Sequence, residues 1–129
     1  MQRFSIDTRK TVRSSIPSLP FDSIARPLLG PRYHLSLVIC GDKLARRINV
    51  EYRKKSYSPN VLSFPIGKDE GEIFLNVRKA AREGRQFGVS YKARLALLFI
   101  HGCLHLKGLR HGRTMELQEQ KTLRDFKIA

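Results

Sequence analysis

The chain has 129 residues, with 41% hydrophobic and 28% charged side chains, the proportions of an ordinary globular protein. That length suits one domain with a sizeable core and is too short to divide into two, so a single domain is expected over 1–129. Twenty-five Lys and Arg against eleven Asp and Glu leave a net charge of +14, a positive field that favours polyanionic partners, nucleic acid ahead of an anionic membrane.

The segment Met1-Gln-Arg-Phe-Ser-Ile-Asp7 lacks the apolar run of a signal peptide, and no stretch reaches the length of a membrane span, so a cytoplasmic protein is expected. Alternation over Arg3 to Thr8 predicts a short strand, and the prolines at 17 and 20 exclude a long regular element after it. Phe21, Ile24, Ala25, Leu28 and Leu29 have helical spacing, closed by Gly30-Pro31. Tyr33 to Cys40 reads as a strand, with His34 structural or exposed. After Gly41, Asp42 is placed to cap a helix running to about Lys54, with Leu44, Ile48 and Tyr52 on one face. Its other faces carry Lys43, Arg46, Arg47, Arg53, Lys54 and Lys55, either a solvated surface or one that binds phosphates, with the overall charge favouring the second.

Val61 to Phe64 and Glu72 to Leu75 read as short strands joined by a polar loop of Gly67, Lys68, Asp69 and Glu70. Pro65 would end the first of them or sit where its missing N–H does no harm. A helix is predicted from Asn76 to about Phe87, stopped by Gly88. Ser90 opens another, Tyr91 to about Lys107, which is apolar nearly all round and therefore a core helix. A last amphipathic helix from Arg113 to about Phe126 offers Met115, Leu117, Leu123 and Phe126 for docking. The expected fold is α/β, a small mixed sheet packed with several helices.

The most informative stretch is His101-Gly-Cys-Leu-His105-Leu-Lys-Gly108-Leu-Arg-His111, which holds three of the four histidines. His101 and His105 lie one helical turn apart on the same face, a recurring way to hold zinc. Glycine readily adopts the left-handed conformation that ends a helix, so a stop at Gly108 lets His111 fold back as a third ligand. Cys103 should point away from that face, and both it and Cys40 are expected to be buried reduced thiols. The spacing also matches zinc proteases in which the residue after the first histidine is a catalytic glutamate. Here that residue is Gly102, so the carboxylate base is missing.

Asn49-x-x-Tyr52-Arg53, then Pro59-Asn60-Val-Leu-Ser-Phe-Pro65, then the histidine stretch resemble, in order and separation, the bacterial YbeY family of rRNA maturation endoribonucleases. The resemblance covers roughly 33 to 117 and includes Gly71-Glu-Ile-Phe-Leu75 as the family's middle strand. The chain departs from the family pattern in places: Pro59 stands where threonine is familiar, Leu109-Arg110 replaces the Tyr-Asp before the last histidine, and the C-terminal tail is short and less acidic than usual. The resemblance implies one zinc ion on His101, His105 and His111, and cleavage of single-stranded RNA in 3′-end maturation of small-subunit rRNA and in ribosome quality control. It implies Arg53 as the catalytic or substrate-binding arginine, where a bidentate guanidinium would clamp the phosphate. Arg46 and Lys54, on the same basic helix, are the further substrate-binding candidates. A non-catalytic ribosome-binding factor with structural zinc is the alternative, disfavoured because three ligands leave a coordination position open.

Overall fold

A computed structural model describes residues 3–128; residues 1, 2 and 129 of the expected domain lie outside the described residues. The elements run β1 (Ser5–Lys10), α1 (Phe21–Leu29), β2 (His34–Cys40), α2 (Asp42–Arg53), β3 (Val61–Gly67), β4 (Glu70–Asn76), α3 (Val77–Phe87), α4 (Tyr91–Leu106) and α5 (Arg113–Asp125). The strands form one mixed sheet in the order β1-β2-β4-β3, with β1, β2 and β4 parallel and β3 antiparallel to β4. The result is a single α/β domain, as the residue pattern predicts.

Side-chain alternation divides the sheet between two cores. Leu35, Leu37 and Ile39 of β2, with Ile73 and Leu75 of β4, face the larger core with residues of α1, α3, α4 and α5. Val38, Phe74, Leu62 and Cys40 face the other way, onto Ala45 of α2 and its partly buried neighbours Leu44 and Ile48. At the centre of the larger core lies α4, whose Leu95, Ala96, Phe99, Ile100, Cys103 and Leu104 are wholly buried. Phe99 meets Phe21 of α1 edge to face at 4.8 Å. Gly102 brings α4 against the sheet: a Cβ there would lie 3.0 Å from Ser63 Oγ and 3.2 Å from both Ile73 and Val61. Ser63 Oγ donates to the Gly102 carbonyl at 2.9 Å, tying α4 to β3 at that point.

Several sequence expectations shift in place. β1 runs from Ser5 to Lys10 where the alternation gives Arg3 to Thr8, because an edge strand pairs on one side only and leaves Arg9 and Lys10 exposed to water. β3 continues through Pro65 to Gly67 for a related reason: it is the other edge, where the missing proline N–H breaks no ladder, and a register irregularity follows. Gly67 and Glu70 are therefore strand ends, and only Lys68-Asp69 forms the turn. Gly41, not Asp42, occupies the N-cap of α2. The Asp42 carboxylate is instead taken by Arg82, with two contacts of 2.8 Å, and by Asn76 Nδ2 at 3.0 Å. Leu117 is 57% exposed and does not join the core, whereas Met115 is buried and Leu123 and Phe126 pack against the core from its margin.

Phe99→Ala should cost about 3–5 kcal/mol, the range for deleting a buried aromatic ring, measured as a loss of unfolding free energy in urea. The Arg82 hydrogen bonds hold the Asp42 pKa down to about 2 from its ordinary 3.8, with burial opposing and Asn76 assisting. A carboxyl depressed in the folded state stabilises above its unfolded value and loses that contribution as pH falls towards 2. Asp42→Asn should therefore flatten the decline in stability between about pH 4 and 2, visible in acid titrations of thermal unfolding.

Candidate active site

The histidine stretch adopts its turn through a specific pairing of backbone groups. Gly108 has φ +97°, a conformation that side chains beyond Cβ-free glycine rarely take. Its N–H donates to the His105 carbonyl at 2.9 Å, and that of Leu109 to the Leu104 carbonyl at 3.0 Å. This is the Schellman closure, with Leu109 packing back onto the core beside Leu104. The chain reverses there and returns His111 to the helix face it has just left. The three imidazoles stand as a near-equilateral triangle, their centroids 4.6, 4.7 and 4.9 Å apart. One ring nitrogen from each lies within 4.8 Å of the others, so the group can hold a metal ion.

The donor set fits such an ion. His101 Nδ1 lies 2.6 Å from Glu119 Oε2 of α5. An ionised carboxylate only accepts, so Nδ1 carries the proton and Nε2 presents its lone pair to the cluster. That Nε2 faces His105 Nε2 at 3.0 Å, and two imidazole lone pairs so close are stable only with a proton or a cation between them. Burial lowers the His105 pKa from the ordinary imidazole value. His101, His111 and Arg53 lower it further by charge, against a raising hydrogen bond to the Leu109 backbone. The neutral, ligating form is favoured accordingly. Cys103 lies wholly within the core and its thiol is pushed up strongly by burial, so it stands outside the group.

The triangle opens into a cleft of about 610 Å³ lined by Arg53 at the end of α2, Tyr57, Pro59 and Asn60 of the following loop, Ser63 of β3 and Lys79 of α3. The loop is held carbonyl by carbonyl. Asn49 Nδ2 donates to Tyr57 O at 3.0 Å, Lys79 Nζ to Ser58 O at 2.6 Å, and Asn76 Nδ2 to Pro59 O at 3.1 Å. The Asn76 backbone N–H takes Asn60 O at 2.9 Å. Asn49 and Asn76 are wholly buried, so the loop rests on amide groups anchored inside the fold. Asn60 Nδ2 also reaches the Glu83 carboxylate at 3.3 Å, which Arg94 pairs at 3.0 Å.

Of the sequence candidates, His101, His105, His111 and Arg53 thus meet in one cleft. Arg46 lines a separate hollow on α2, and Lys54, the left-handed residue ending α2 at φ 59°, is not among the residues lining the cleft. Sequence reasoning passed over Glu119, Lys79, Asn60 and Tyr57. Only Asn60, inside the Pro59–Pro65 motif, carried a local signal; the other three become neighbours of the site through tertiary packing.

A profile of the family described as Endoribonuclease YbeY matches residues 9–127. The chain belongs to the YbeY family. A Geobacter sulfurreducens protein named Endoribonuclease YbeY is 32% identical over 127 residues, covering 88% of this chain and 85% of that protein. A Campylobacter jejuni protein of the same name is 40% identical over 95 residues, covering 70% and 69%. A solution structure of a Thermotoga maritima protein, at 22% identity, superposes with a TM-score of 0.60 over 79% of this chain and 73% of that one, which supports the same fold. Among the described residues no helix is long and apolar enough to cross a membrane.

Loss of the carboxylate behind His101 should loosen the ligand set. Glu119→Ala is expected to lower affinity for a divalent metal about 10- to 100-fold, read by competition with a chromogenic chelator. Glu119→Gln, which keeps an acceptor but no charge, should lose less.

Proposed function

We propose that the protein is a metal-dependent endoribonuclease acting on single-stranded RNA. The observation that carries this reading is the convergence of three histidine nitrogens with Arg53 and Lys79 in one cleft. Membership of the YbeY family, whose curated members bear the name Endoribonuclease, supports the same reaction class. Zinc is the proposed ion, one per chain, because an all-imidazole set with three protein ligands matches catalytic zinc sites. A bound divalent ion supplies Lewis acidity for polarising a phosphoryl oxygen and activating water.

The chain's own groups supply the rest. Arg53, exposed at the end of α2, offers a planar guanidinium to the scissile phosphate and to the charge that develops on it. Lys79 adds a second positive charge at the cleft wall while its ammonium stays on the Ser58 carbonyl. Tyr57, 52% exposed with Lys79 Nζ 5.9 Å from its ring centre, presents a face on which an unpaired base can stack. Such stacking requires unpaired bases, which favours a single strand over a duplex. Position 102 turns towards Ser63, Val61 and Ile73, so the protease carboxylate is absent and lacks room as well. Small-subunit rRNA at its 3′ end, handled in the cytoplasm on the ribosomal subunit, is the proposed physiological substrate, with ribosome quality control as the setting.

His105→Ala should abolish metal retention and RNA cleavage together, measured by elemental analysis beside gel assays of single- and double-stranded RNA. Full RNase activity in that metal-free variant would refute the mechanism. Arg53→Ala should lower kcat/KM about 100-fold or more, the scale for losing one transition-state charge contact, with a much smaller change in RNA affinity.

A further inference from the structure

The basic helix α2 connects the histidine cleft to two further hollows. The first, about 630 Å³, is lined by Lys43, Arg46, Arg47 and Val50, with Ser58 at its edge. Ser58 sits in the same loop as Tyr57 and Pro59, which line the cleft, so the two spaces border one loop. The second hollow, about 870 Å³, shares Lys43 and Arg47 with the first and adds Arg78 of α3 and Arg9 and Lys10 of β1. Together the three spaces follow α2 from its last residue, Arg53, to its N-cap, Gly41. Twelve helical residues at about 1.5 Å each make that path roughly 18 Å long.

The charge on this path is unidirectional and unspent. Lys43, Arg46 or Arg47, Val50 and Arg53 recur at three- and four-residue intervals, a single stripe opposite the buried Ala45 and Asn49. Among the described residues, Arg9, Lys10, Lys43, Arg46, Arg47 and Arg78 show no ion pair. Two carboxylates stand against them, Glu51 and Asp42, and Asp42 is already paired with Arg82. The Arg78 side chain lies over Gly41, where an added Cβ would come within 3.2 Å of its Cδ. A solvated face needs neither hollows nor a lining shared between them; this one has two hollows that share Asp42, Lys43 and Arg47.

We infer that a single RNA strand leaves the histidine cleft over the loop at Tyr57, runs along α2 towards its N-terminus, and ends against Arg78 and the β1 edge. Phosphates bind Arg46, Arg47 and Arg78, and bases face solvent beyond the stack on Tyr57. The inference deepens the RNA-cleaving reading above, and gives Arg46 a place in substrate binding outside the cleft. A substrate reaching only into the cleft gains nothing from these residues, whereas a longer strand does.

The test compares full-length wild type with the triple variant Arg46→Gln, Arg47→Gln, Arg78→Gln, binding a fluorescent 15-nucleotide single-stranded RNA in EDTA by anisotropy. Arg32→Gln, Lys92→Gln, Arg124→Gln, exposed and lining none of the three hollows, is the equal-charge control. The track variant should bind at least about tenfold more weakly, and its salt slope should fall by about 2, near 0.7 per lost phosphate contact. The control should stay close to wild type, and a trinucleotide competitor should bind wild type and track variant alike. Equal loss in track and control variants, or no loss in either, would overturn the track. So would a track variant that keeps its RNA affinity while losing binding to phosphatidylserine vesicles. Metal-loaded wild type given the same RNA tests the nuclease reading separately: absence of cleavage strikes that reading, while the binding comparison still decides the track.

Discussion

Everything at the histidine end of this molecule depends on the burial of α4. A helix apolar on nearly every side can be stable only if other elements surround it, and α1, α3, α5 and the sheet do so. Its last turn then has no freedom to adjust, because Gly102 has brought it into contact with β3 and β4 on one side while Leu104 is sealed in the core. The backbone that carries His101 and His105 is therefore held by packing. The Schellman closure at Gly108 carries the same rigidity round the corner to His111.

The opposite wall of the cleft is built on different physics. The segment between α2 and β3 has no regular hydrogen-bonding partner, yet its carbonyls at 57, 58, 59 and 60 are each taken by Asn49, Lys79 or Asn76. Two of those donors are buried asparagines, Asn49 within α2 and Asn76 at the end of β4, whose amide N–H groups would be costly to leave unpaired. A loop held this way keeps Tyr57 and Asn60 in position beside the histidines. Arg53, on the last turn of α2, shares the same support. The charge that makes the surface hostile to compaction is meanwhile distributed so that α2 carries it along one stripe, away from its buried face.

Legibility from the residues was uneven for identifiable reasons. The helix end that bears His101 and His105, its glycine stop and the return to His111 are readable because they depend on interactions within eleven residues, where spacing maps directly onto geometry. The residues place β1 two positions early and make β3 and β4 too short, since strand ends are set by what the neighbouring strand offers and not by the residues themselves. Asp42 looked like a cap and became the partner of Arg82, forty positions away, a competition invisible locally. Leu117 has the right spacing for a docking face and points to water, because α5 touches the core through Met115 and its C-terminal end instead.

By itself the sequence determined the α/β composition, the core helix, the three-histidine group with its turn, the absence of a protease base at Gly102 and the strong positive charge. Each is a property of residue type or of spacing within a single element. Only the tertiary structure decided that Glu119 meets His101, that Lys79 and Tyr57 join the cleft, and that Arg46 lines a separate hollow on α2 while Lys54 does not line the cleft. Those relations join residues far apart in the chain. They are set by which faces of α2, α3 and α5 must be buried, a global packing condition that no local pattern encodes.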